Sequence, residues 1–211
     1  MADADPARPW HSGPTKLADM SDLKSPAEAP HTVRFSAAMA SVFESQRRAS
    51  YPGARSKEQG GTIVADKNGR LLIQNLGGSG SDAGSFEPNL VPTVSSKFTT
   101  VGVFHTHPYD RTEGSMTGVS FSGGDVAYLT LTNIILMVVQ SGPRMFVLLK
   151  TAMTPANIDF DATNDAANDE LQDRTDAGGK FQQGSRLVAR KFARANSMAY
   201  YQGAHGVATR I

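Results

Sequence analysis

Apolar and polar positions follow two different periods along the chain, and these periods predict its secondary structure. Over residues 33–48 the apolar positions fall largely on one face of a helix. Two β-rich stretches, 62–66 and 70–76, are separated by Lys67-Asn68-Gly69, whose Asn-Gly pair is a strong tight-turn signal. They therefore predict a hairpin, and the apolar run at 98–104 predicts a further strand.

The region after residue 120 predicts another helix and another hairpin. A helical pattern occupies residues 125–131, and Ser122 is its natural N-cap. Residues 133–139 and 144–149 are β-rich and flank a Ser-Gly-Pro turn, which indicates a second hairpin. Helices and strands mixed in this order predict an α/β fold, with a mixed or antiparallel sheet that is flanked by helices.

The two ends of the chain are predicted to differ from its centre. Residues 1–30 contain five prolines among small polar residues and show no apolar period, so we expect a flexible N-terminal arm. Residues 31–211 are expected to form one domain that can bury a core. Its C-terminal helical extension, at about 155–203, contains a polar segment at 155–176 and a basic helix at 186–201.

Composition excludes several classes of site. The formal net charge is +1 with both signs mixed, which gives no electrostatic case for a nucleic-acid partner. The chain has no cysteine, so any metal must be held by His, Asp or Glu.

Segments for membrane insertion or export are not predicted either. No apolar run approaches the roughly 20 residues of a membrane span, and acids occupy the N-terminus where a secretory signal needs basic residues. The sequence predicts a soluble protein without a cleavable signal peptide, either cytoplasmic or exported by a signal-independent route.

The strongest chemical signal is the strand that ends in Phe104-His105-Thr106-His107-Pro108. Side chains two residues apart in a strand share a face, so both imidazoles project to the same side. Asp125 follows at the start of the next predicted helix. Two imidazoles and a carboxylate form a three-ligand site for a catalytic zinc ion, Zn2+, with a fourth position open to water.

These residues resemble the JAMM (MPN/JAB) metallopeptidase family, whose signature is an upstream glutamate, then H-x-H-P, then S-x-x-D. The first part is similar to Glu58-Gln59-Gly60-Gly61, and the last is similar to Ser122-x-x-Asp125. The resemblance covers roughly residues 35–150. It implies a JAMM/MPN-like fold and a zinc-dependent hydrolase that cleaves a peptide or isopeptide bond in a protein or peptide substrate.

The same resemblance assigns the catalytic residues. It makes Glu58 the general base and Ser122 the donor that supports the developing oxyanion, with His105, His107 and Asp125 as metal ligands. Glu44 is the nearest rival to Glu58, although it lies on the first predicted helix. Ser122 and Asp125 also form a capping box, a reading that is compatible with the catalytic one.

The chain departs from the family in one respect. Seventeen residues separate His107 from Asp125, more than the family usually has, and the surplus lies in the polar segment 109–118. Asp110 and Glu113 of this segment are alternative ligands in place of Asp125. The insertion leaves the substrate class open.

Three other functions compete with the peptidase. A non-catalytic MPN-like interaction module would lack ligands, whereas every expected ligand type is present here. Cupins and PHP-type phosphoesterases also use H-x-H motifs, but the second cupin histidine motif is missing and five histidines are too few for the latter. If the protein is a peptidase, one alternative is that it acts as a bacterial effector or toxin. A toxin would have an inhibitor or immunity protein as a partner.

Overall fold

The computed structural model describes residues 13–51, 53–77 and 85–211. Its core is one eight-stranded sheet in the order β1-β8-β7-β6-β5-β4-β2-β3. Strands β4 and β5 pair in parallel, and all other neighbours pair antiparallel. The strands are Thr32–Arg34 (β1), Gly60–Asp66 (β2), Leu71–Gln74 (β3), Phe98–Thr106 (β4), Leu136–Ser141 (β5), Arg144–Leu149 (β6), Ala199–Ala204 (β7) and Val207–Arg210 (β8).

The described residues form four α-helices. They are Ala37–Ala49 (α1), Gly123–Leu131 (α2), Phe160–Asp176 (α3) and Phe181–Ala195 (α4). The central strands are buried on both faces, and their alternate residues contribute to two separate apolar clusters. Helix α1 packs into one cluster, while α2 and α4 pack into the other. The expected α/β fold with a mixed, helix-flanked sheet is therefore confirmed.

Both predicted hairpins are present. The turn between β2 and β3 contains Gly69 at a φ of 72°, a left-handed conformation that glycine adopts without the steric cost of a β-carbon. The turn between β5 and β6 contains Gly142 at a φ of 59°. The helix predicted from residue 33 begins at Ala37 instead, because Ser36 caps it and residues 32–34 pair with β8.

The C-terminal prediction is wrong from residue 196 onward. Helix α4 ends at Ala195, and residues 199–203 lie inside the sheet as part of β7 rather than in a helical extension. Tyr201 faces the α1 cluster and Tyr200 the opposite one, so both faces of β7 are buried. A strand buried on both faces has no alternation of apolar and polar residues, and it resembles a buried helix in sequence.

The flexible-arm prediction is also wrong for the described residues 13–30. Met20, Leu23 and Ala29 are at most 3% exposed and belong to the α1 cluster. Two short 3-10 helices, Leu17–Asp19 and Pro26–Glu28, organise this segment, so its prolines fix turns rather than prevent packing. Residues 1–12 lie outside the described residues. Among the helices that are described, none is long and apolar enough to cross a membrane.

Candidate metal centre

Three side chains with metal-binding atoms meet at the end of β4 and the start of α2. The candidate ligand atoms of His105, His107 and Asp125 all lie within 4.8 Å of one another. His105 Nε2 is 3.0 Å from His107 Nε2 and 3.1 Å from Asp125 Oδ1. In the described part of the chain, this is the one group of three His, Asp or Glu residues with such a geometry.

Local backbone structure explains why these side chains converge. His105 occupies a central strand, paired with Gly60 on β2 and with Val139 on β5. The His107 backbone N–H donates to Gln140 O at 2.9 Å, so pairing continues past the end of β4. Both imidazoles therefore project from one face of the sheet, where the first turn of α2 presents Asp125.

The capping box of α2 gives the two oxygens of Asp125 different contacts. Asp125 N donates to Ser122 Oγ at 3.0 Å, while Ser122 N and Oγ both donate to Asp125 Oδ2 at 2.8 Å. Oδ1 is left facing His105. Burial alone would raise the pKa of Asp125, but the charge and hydrogen bond of His105 lower it well below its usual range. The carboxylate is thus held in its charged form.

A backbone carbonyl fixes the tautomer of His107. Its Nδ1 lies 3.0 Å from Ser120 O, which can only accept, so Nδ1 carries the proton. The lone pair of Nε2 then points into the site, the arrangement found in histidines that bind metals. Burial, reinforced by the charge of His105, lowers the pKa of His107 to about 4 and keeps the ring neutral.

The pKa of His105 is shifted in the opposite direction. Burial by itself would lower the pKa of His105, but the charge and hydrogen bond of Asp125, together with the charge of Glu58, raise it overall. Asp125 and Glu58 thus favour positive charge at this place, and a bound metal cation would supply it.

Glu58 lies beside the three candidate ligands. Its side chain is buried, and Oε1 is 3.9 Å from His107 Nε2. Two residues later, a β-carbon on Gly60 would overlap Phe104 O and lie 2.8 Å from the Phe86 ring, so glycine here permits the close approach of β2 to β4 beside the site. Glu44 lies elsewhere on α1, where its carboxylate binds Arg47 and Arg48.

The alternative ligands have other partners. Asp110 and Glu113 form the capping box of a short 3-10 helix, Arg111–Glu113. The Asp110 carboxylate accepts from Thr112 N at 2.8 Å and from Ser56 N at 3.2 Å. Neither acid belongs to the group of convergent ligand atoms, although Glu113 lines the same cavity.

The candidate ligands open into a cavity of about 540 Å³. Part of its lining comes from elements that lie far from the ligands in sequence, namely Phe86, Met137, Phe160 and Asn164. The sequence did not predict these four residues, nor Val103 and Tyr128, which lie one strand or helix repeat from a candidate ligand. The Phe86 ring stacks on His105, with centroids 6.1 Å apart and an interplanar angle of 12°.

Neither a family model nor a curated protein matches this chain. Function therefore rests on the chemistry of the site. The site offers two imidazoles and one carboxylate, and the tautomer of one imidazole is already fixed. This set of ligands suits a divalent transition metal such as zinc. The cavity beside them leaves room for a substrate.

Proposed function

We propose that this protein is a zinc-dependent metallopeptidase of the JAMM/MPN type, acting on a peptide or isopeptide bond. The observation that carries the proposal is the convergence of His105, His107 and Asp125 within 4.8 Å. The buried carboxylate of Glu58, 3.9 Å from His107, adds a base at the same place. A mixed sheet with the histidines at the end of a central strand also supports it.

The roles of the side chains follow from their positions. A bound zinc ion would supply Lewis acidity and lower the pKa of water to about 7. Glu58 accepts the proton of the attacking water and returns it to the leaving amine. Ser122 supports the developing oxyanion with its hydroxyl proton, which turns from Asp125 Oδ2 toward the substrate. Ser120 O holds the His107 ring in orientation.

The first test combines metal analysis with variants. Zinc reconstitution followed by elemental analysis should give about one zinc per chain, and His107→Ala should remove it because one nitrogen ligand is lost. Glu58→Gln should keep the zinc and the melting temperature. Its turnover of peptide or isopeptide substrates should fall about 10²–10⁴-fold, the usual contribution of general acid–base catalysis.

Glu44→Gln is the matched control, since it changes the same residue type on a helix outside the cavity. It should leave zinc content and turnover unchanged. A wild type that holds no zinc after reconstitution would contradict the catalytic proposal and favour the non-catalytic interaction module. Loss of turnover in Glu44→Gln but not in Glu58→Gln would show that the base is misassigned.

A further inference from the structure

Apolar and aromatic side chains line the cavity directly beside the candidate ligands, and strand geometry places two of them there. Val103 precedes His105 by two residues in β4, so both side chains face the cavity one pleat repeat apart. Met137 on β5 is in register with Val103. Both side chains are at most 2% exposed, and they form an apolar floor next to the candidate ligands.

The same arrangement occurs along α2. Tyr128 follows Asp125 by three residues, so the two side chains share one helix face, and both line the cavity. Asp125 contacts the histidines, whereas the half-buried Tyr128 ring lies one turn farther on. Strand and helix therefore each place an apolar or aromatic side chain one repeat away from a candidate ligand.

Two further aromatic rings form the walls. Phe86 stacks on His105 from the side of β2. Phe160 begins α3 and lies against the first turn of α2, with its Cζ 3.0 Å from the place of a β-carbon on Gly124. Asn164 Oδ1 accepts from Gly124 N at 3.0 Å and fixes α3 in that position. The Phe160 side chain is nevertheless 42% exposed, so it offers apolar surface to a ligand.

We propose that this apolar part of the lining is a subsite for a bulky aliphatic or aromatic side chain of a peptide, adjacent to the amide that the metal centre hydrolyses. The five residues of the subsite are Phe86, Val103, Tyr128, Met137 and Phe160. The inference rests on the proposed peptidase function and adds a substrate class to it. Small ligand pockets are built this way, with a mostly apolar lining and a few polar groups that orient the ligand.

The experiment compares two metal-binding probes on the zinc-loaded protein. Glycine hydroxamate and phenylalanine hydroxamate share the zinc-binding group and the α-amino group and differ only in the side chain. The phenylalanine compound should bind about 10- to 100-fold more tightly, as expected for the burial of one aromatic side chain. Phe160→Ala should reduce that ratio at least about threefold, and Phe160→Leu should restore most of it.

Leu187→Ala is the matched control, because Leu187 is 43% exposed on α4 and does not line the cavity. It should leave the ratio of the two affinities unchanged, and all three variants should melt like the wild type. Equal affinities for the two hydroxamates, or a ratio that Phe160→Ala does not change, would overturn the subsite.

A second measurement tests the subsite without metal. N-acetyl-phenylalanine amide should show broadened NMR lines in the presence of zinc-free protein, whereas N-acetyl-glycine amide should not, and Phe160→Ala should remove the difference. If the lines broaden selectively but the protein binds no zinc or cleaves no peptide, the subsite is supported and the proposed function is refuted. If the protein cleaves peptides without preference for a side chain, the proposed function is supported and the subsite is refuted.

Discussion

Ser122 shows at the residue scale how one side chain can serve both folding and chemistry. Its hydroxyl accepts from Asp125 N, which caps α2, and donates to Asp125 Oδ2. Replacing a serine N-cap by alanine typically costs about 0.5–2 kcal/mol of stability. Ser122→Ala should therefore lower the free energy of unfolding by that amount. Turnover should fall about 10²–10³-fold as the oxyanion donor is lost.

Ser36 provides the control for this prediction. Its Oγ accepts from Met39 N at 3.3 Å and caps α1, which packs on the opposite face of the sheet. Ser36→Ala should cost a similar free energy of unfolding, measured by denaturant titration, and leave turnover unchanged. Equal losses of turnover in both variants would mean that Ser122 acts only as a helix cap.

The positions of single side chains could be predicted where a local sequence pattern fixes their direction. His105 and His107 share a strand face because of their spacing, and Ser122 with Asp125 opens a helix, so the sequence predicted that these side chains would converge. Phe86 and Phe160 gave no such signal. Phe160 reaches the cavity only because α3 packs on α2, a contact between elements 29 residues apart that no local pattern encodes.

At the scale of elements, the pairing of β2 with β4 positions the candidate centre. Gly60 is opposite His105, and a β-carbon there would overlap Phe104 O. Gly60→Ala should push β2 away from β4 and displace His105, lowering zinc affinity at least about tenfold and stability by about 1–3 kcal/mol. Competition with a zinc chelator and thermal unfolding would measure the two effects.

Gly53→Ala is the matched substitution, since a β-carbon on Gly53 meets nothing within 4 Å. It should bind zinc with wild-type affinity and melt at the wild-type temperature. Wild-type zinc affinity in Gly60→Ala would show that the strand pairing tolerates the added carbon and that Gly60 is not needed for the site.

Elements with their own turn or cap signals were predicted well. The hairpin β2–β3 follows from its Asn-Gly turn, and α2 follows from its capping box. Strand β7 was missed because both of its faces are buried, and β1 because three residues are too short for a periodic signal. Gly203 also obscures β7 in the sequence, because glycine is unusual inside a strand. The structure needs glycine here, since a β-carbon at this position would overlap Val207 in β8.

At the scale of the whole molecule, the segment before β1 joins the two edges of the sheet. Thr15 N donates to Arg34 O of β1 at 2.7 Å, and Leu17 N donates to Gly69 O, beside β3, at 2.8 Å. Since β1 and β3 are the two outermost strands, this short segment connects both ends of the strand order. Composition alone suggested a flexible arm, because the contacts that order it come from strands far away in sequence.

Met20 tests whether this segment is part of the core. Its side chain is 1% exposed in the α1 cluster, and Met20→Ala should leave a cavity that costs about 2–5 kcal/mol of unfolding free energy. Met153 is 61% exposed, so Met153→Ala should change stability by less than about 0.5 kcal/mol. Denaturant titrations of both variants give the comparison. Equal stabilities would mean that the segment contributes little to folding, as a flexible arm would. A large difference would show that the N-terminal residues complete the α1 cluster, the core on the face of the sheet opposite the candidate metal centre.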